Sequence, residues 1–134
     1  MTKSILCAVD FSDASFHALR WAVAVARKFD AHLTVLNTYR LTQPGNGEEV
    51  IKMKRMIEEK ATDLFLKIEN DILKDQGISF DFKSEVGFVR DRVEDHARKK
   101  ELLFFVIGKN SSVMNRESLN ELIDRINIPL VIVP

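Results

Sequence analysis

Two polar stretches follow apolar runs and lead into helical patterns: Asp10-Phe11-Ser12, and Gly108-Lys109-Asn110-Ser111-Ser112. A loop of the second kind can cradle phosphate. Glycines let backbone N–H groups close on phosphate oxygens, and the following helix N-terminus adds its positive pole. Here Lys109, Ser111, Ser112 and the downstream Ser118 supply one cation and several hydroxyls, but Gly108 is the only glycine in the stretch. Glu117, directly before Ser118, would repel phosphate where a glycine would admit it. The loop therefore has two readings: a helix N-terminus capped by Ser118, or a divergent anion cradle built on Lys109, Ser111 and Ser112. The missing glycines favour the first. Asp10 divides in the same way, either meeting a ligand or hydrogen-bonding the turn into the helix together with Ser12. Without a phosphate loop opposite, the second is favoured.

Other chemistry finds little support. His17, His32 and His96 fall on different elements without metal-ligand spacing, which reads as surface or helix-face histidines and no metal site. No serine sits in a nucleophile elbow. Cys7, the single cysteine, lies within an apolar run without a partner base, as a small core residue in a reducing cytoplasm would. No catalytic residue is expected. Lys+Arg and Asp+Glu number 20 each, and no basic stripe stands out, which argues against nucleic acid or an anionic membrane as partner. The apolar run near the N-terminus is too short for a signal segment or a membrane span, so the expected location is the cytoplasm.

The elements that must position these residues follow from periodicity. Ser4 to Asp10 is a short β-rich run, and Ser12 is placed to cap the helix after it, whose stripe is Phe16, Leu19, Val23 and Ala26. "AHLTVLNTY" reads as a second strand and "LTQPGNG" as a loop. From Glu48 to Lys74, the residues Val50, Met53, Ile57, Ala61, Leu64, Ile68 and Ile72 step by three or four, with Gly77 placed as C-cap. Ile78, Phe80, Phe82 and Val86 alternate with polar residues, as in an edge strand. A third helix carries Val89, Val93 and Ala97, with Arg98, Lys99 and Lys100 near its C-terminal end. "LLFFVIG" reads as a central strand buried on both faces. Ser118 and Glu121 form a capping box before Leu119, Leu122 and Ile126, and "PLVIVP" is a last strand.

Strands and helices alternate throughout the 134 residues, which predicts one domain, 1–134, of α/β class with a doubly wound parallel sheet between helical layers. In such sheets ligands bind beyond the carboxyl ends of the strands, where strand order reverses. Asp10, Thr38, Tyr39 and Gly108 occupy those ends.

In the order and spacing of "ILCAVDFSDASFHALRWAVAVA", "HLTVLNTY", "EVGFVRDRVEDHARKKELLFFVIGKN" and "IPLVIVP", the whole chain resembles the universal stress proteins. The resemblance implies a five-stranded sheet of order 3-2-1-4-5. It also implies a homodimer formed by pairing Leu130, Val131, Ile132 and Val133 with the same strand of a second copy. The nucleotide-binding branch of that family carries G-x2-G-x9-G-[ST] after the fourth strand, and an aspartate at the position of Asp10 contacts the nucleotide. Gly108 matches the first glycine, Ser111 replaces the second, the third has no counterpart, and Ser118 is the only [ST] within reach. The expected function is thus a non-enzymatic, homodimeric, cytoplasmic stress-response protein without a cofactor. The alternative is an ATP-binding sensor or weak nucleotide hydrolase using Asp10, Thr38 and the Gly108 loop. A docking module acting through its surface is a third reading.

Overall fold

In the computed structural model, which describes residues 3–41 and 46–134, strands and helices alternate as the periodicity predicts. They are β1 (Lys3–Ala8), α1 (Asp13–Phe29), β2 (His32–Tyr39), α2 (Gly47–Ile68), β3 (Phe80–Val86), α3 (Val89–Lys99), β4 (Glu101–Gly108), α4 (Arg116–Arg125) and β5 (Leu130–Val133). All pairings are parallel, in the order β3-β2-β1-β4-β5. Most of the loop read at Leu41–Gly47 lies outside the described residues.

Alternation along β1 divides the core into two layers. Ile5, Cys7 and Val9 face α1 and α2, joined by Leu19, Val23, Phe65 and Ile68. Leu6 and Ala8 face α3 and α4, joined by Val93, Phe105, Ile107 and Leu122. β1 is buried from Ser4 to Ala8 as expected, and β4 is buried at Leu102 and from Phe105 to Gly108 but only half-buried at Leu103 and Phe104, while β2 adds Leu33, Thr34, Val35 and Leu36 to the core. Burial pushes the Cys7 thiol up to about 12, so it stays protonated and inert. Opposite β1, the register of β4 slips between Leu102 and Phe104, leaving Leu103 unmatched. Phe104 is covered by the ring edges of Trp21 and Phe29, at centroid distances of 6.4 and 5.8 Å.

β3 is the edge strand expected, with Phe80 and Phe82 half-buried and Val86 exposed. Its two carboxylates anchor it. Asp81 lies 2.9 Å from His32 Nε2 and accepts from Thr34 Oγ1 at 2.7 Å, and Glu85 lies 2.9 Å from His96 Nε2. Burial works against the Asp81 charge, but Thr34, His32 and the nearby Lys100 outweigh it and hold its pKa low. His96 is accordingly buried on the inward face of α3 and bonded to β3, rather than lying on the surface.

Two helix ends differ from their sequence reading. The helix expected to end at Lys74 passes from α2 into a π-helical turn, Glu69–Leu73, and Asp75 and Gly77 then reverse the chain with φ of 61° and 72°. Gly77 serves that turn and does not cap the helix directly. α4 is capped by Asn115, whose Oδ1 accepts from Ser118 N at 2.7 Å. Ser118 thus lies inside the first turn, and Glu121 pairs with Arg90 on α3. An Asn three residues before a Ser is as good a capping signal as a Ser three residues before a Glu.

Candidate functional site

β1 ends against β2 through Val9 N, which donates to Leu36 O at 2.8 Å, and the chain turns sharply at Phe11, where φ is 62°. That conformation strains a non-glycine residue. The turn is held by Asp10: its Oδ1 accepts from Ser12 N at 3.0 Å, from Ser12 Oγ at 2.5 Å and from Ser15 Oγ at 2.5 Å. The Asp10 N–H donates to Ser15 Oγ at 2.9 Å, and Ser12 Oγ also caps α1 by accepting from Ser15 N at 3.3 Å. Asp10 and Ser12 therefore organise the turn into α1, as expected.

The other carboxylate oxygen reaches across to the loop after β4. Ser112 N donates to Asp10 Oδ2 at 2.6 Å. Burial alone would raise the Asp10 pKa, but the hydrogen bonds from Ser12, Ser15 and Ser112 outweigh it and keep the group below the usual carboxylate range. Other loop donors are also engaged. Lys109 N donates to Val133 O at 2.8 Å, and Ser111 N and Oγ donate to Gly108 O at 3.2 and 2.8 Å. Val113 and Met114 then fold onto the apolar layer beneath α3 and α4. A Cβ on Gly108 would lie 2.4 Å from the Ala14 carbonyl oxygen, so the close approach of α1 to β4 itself requires the glycine.

Beside this turn lies a cleft of about 400 Å³ at the carboxyl ends of β1 and β2. Of the residues singled out from the sequence, Asp10, Thr38, Ser112 and Ser118 line it, whereas Gly108, Lys109 and Ser111 do not. The sequence reading missed Arg40, Phe88 and Arg90, which also line it. The Arg40 and Arg90 guanidinium carbons lie 4.8 and 5.5 Å from the Phe88 ring centroid. The only available signal was position: Arg40 directly follows β2, Phe88 directly follows Gly87, and Arg90 lies in the first turn of α3. Tyr39, also in the lining, donates its hydroxyl to Glu58 on α2. Partial burial and the Glu58 carboxylate push the Tyr39 pKa upward.

Among the described residues, no group of three or more His, Cys, Asp or Glu side chains could hold a metal ion, and no helix is long and apolar enough to cross a membrane. At the far edge of the sheet, β5 hydrogen-bonds β4 on one side only, with Leu130, Val131 and Val133 half-buried and Ile132 43% exposed.

The sequence matches the universal stress protein family over residues 1–134. No curated protein sequence matches it significantly. Among solved structures, it is similar to a universal stress protein from Lactobacillus plantarum at TM-score 0.77 and 19% identity, covering 99% of this chain and 97% of that one. It is similar to one from Archaeoglobus fulgidus in complex with dAMP at TM-score 0.67 and 19% identity, covering 100% and 98%. A family protein from Arabidopsis thaliana with AMP bound gives TM-score 0.65 and 15% identity, covering 99% and 91%. At these identities the likeness carries the fold alone.

Proposed function

Because this chain belongs to the universal stress protein family, we propose that it is a non-enzymatic, cytoplasmic stress-response protein that works as a homodimer and does not hold ATP tightly. One observation carries this reading: the Ser112 N–H, a donor that a phosphate cradle would aim at its ligand, is spent on the Asp10 carboxylate at 2.6 Å. Asp10 acts as an internal anion. An incoming phosphate would have to displace a group already bound and already charged, at a site where glycines that would ease the rearrangement are absent. The apolar outer strand, Leu130–Val133, supports the dimer, since an uncharged edge favours pairing with a second copy.

The second reading, an adenine-nucleotide-binding sensor or weak hydrolase, is favoured by the cleft of about 400 Å³ that persists beside Asp10 and Thr38. Structures of relatives hold dAMP and AMP. Thermal unfolding with and without Mg-ATP separates the two. A ligand at a hundredfold excess over its Kd stabilises a protein by about 2.7 kcal/mol. The expected result is no shift at low-millimolar Mg-ATP. A clear stabilisation, abolished by Asp10→Ala, would overturn the proposal in favour of the nucleotide-binding reading.

A further inference from the structure

With the β4–α4 loop held against Asp10, the cleft still keeps about 400 Å³, and its chemistry is uneven. Leu36, Val89, Val113 and Met114 give it apolar walls. At the β2 and β3 ends two guanidinium groups converge on the Phe88 ring. Their charges are only partly answered. Arg90 pairs with Glu121 through one nitrogen, but its Nε is buried and meets no acceptor, the Asp91 carboxylate standing 3.9 Å away. Arg40 forms no ion pair among the described residues. Buried donors in native proteins are nearly always satisfied, so an unmatched Arg90 Nε, on a guanidinium that shares the Phe88 ring with the unpaired Arg40, leaves this cationic end of the cleft short of an acceptor.

We propose that this end of the cleft binds a small monocarboxylate with an apolar body, its carboxylate received by Arg40 and Arg90 and its body lying against Phe88, Val89, Val113 and Met114. Guanidinium presents a planar fork of donors that matches a carboxylate. Arg90 is met by Glu121 and by Asp91, which it shares with Arg125, so the unanswered positive charge is that of Arg40, which suits a monoanion. A phosphate monoester brings close to two negative charges, and the Asp10 carboxylate across the cleft would oppose the second. Apolar walls with a few convergent polar groups are the usual make-up of a small-molecule site. The inference rests on the closed loop of the preceding section, which sends the anionic group to the opposite end of the cleft.

Indole-3-acetate and benzoate are suitable probes, with 3-methylindole and AMP as comparisons, followed by calorimetry and amide NMR on the full chain. Indole-3-acetate is expected to bind saturably, with the largest shifts at residues 87–90 and 113–114. Arg40→Ala is expected to weaken it about tenfold, the scale of one lost charge-assisted contact. Arg90→Lys keeps the charge opposite Glu121 but removes the fork, and should weaken binding similarly with the thermal midpoint unchanged. The uncharged 3-methylindole should bind no better than the Arg40→Ala variant binds indole-3-acetate. The proposal is overturned if neither carboxylate saturates the native protein up to about 10 mM, if Arg40→Ala has no effect, or if 3-methylindole binds equally well. Tight AMP binding indifferent to Arg40→Ala would overturn the closed-loop reading and this inference together. Carboxylate failure without AMP binding would overturn this inference alone.

Discussion

The Ala14 carbonyl stands so close to Gly108 that a methyl group there would lie 2.4 Å from the oxygen and 2.8 Å from the carbon. Both partners are backbone, in the first turn of α1 and at the end of a central strand, and neither can rotate away. Gly108→Ala must therefore separate the helix from the sheet. It is expected to cost roughly 1–3 kcal/mol, in the range of overpacked core sites. Urea unfolding at unchanged m-value is the measurement, and a loss within about 0.5 kcal/mol would show that the contact yields freely.

Asp10 ties stability to acid. Its pKa is lowered in the fold, so it stabilises the native state above the unfolded value of about 4, and that contribution disappears as pH falls through the folded pKa. Asp10→Asn should lose roughly 1 kcal/mol at neutral pH, the usual scale of a net hydrogen-bond contribution, since its donors are only part-buried and the Ser112 N–H is exposed. The loss should shrink towards zero in acid, where wild type forfeits the same interaction. A penalty of constant size across pH would mean that the carboxylate charge plays no part.

Tyr39 is the single tyrosine of the chain, so its ionisation can be followed directly by absorbance. Its raised pKa favours the neutral phenol, which stabilises the fold below the ordinary tyrosine value of about 10 and is lost as pH rises further. The native protein should show no tyrosinate at pH values where the unfolded chain does. Glu58→Gln should move the titration back towards the ordinary value. An unchanged curve in that variant would remove Glu58 as the cause.

Pairing through β5 predicts a dimer in sedimentation at micromolar concentration. Val131, half-buried in this strand, would bring a charge into the interface as Val131→Lys, shifting the equilibrium towards monomer. A wild-type protein that sediments as a monomer at every concentration excludes the pairing.

The sheet was legible because its signals are local and repeated. The alternation at Phe80 and Phe82 announced a half-covered strand, the unbroken run at Leu102–Gly108 a central one, and the strand order followed from the family resemblance. Ser12 was legible as a cap for the same reason. The Asp10–Ser112 bond was not, because it spans 102 residues and depends on β1 lying beside β4. Nor was the role of Gly108: a motif position and a packing requirement look alike in one sequence, and only the Ala14 carbonyl separates them. Arg40 and Arg90 escaped notice because neither carries a period or a motif. They meet at Phe88 only once β2 and β3 are side by side.

The pairing of β1 with β4 also fixes an order in time. A chain made from its N-terminus exposes β1, β2 and β3 long before β4, and parallel pairings between distant segments are slow to form. Ser12 and Ser15, two and five residues from Asp10, can hold its carboxylate from the outset, so a prepared acceptor waits for a loop not yet made. Ser112 closes on it only after β4 has entered. Until then β1, a central strand of the finished sheet, keeps one edge bare, and such edges recruit other chains. The interval between release of Val9 and arrival of Gly108 is therefore the time during which the β1 edge is open to other chains.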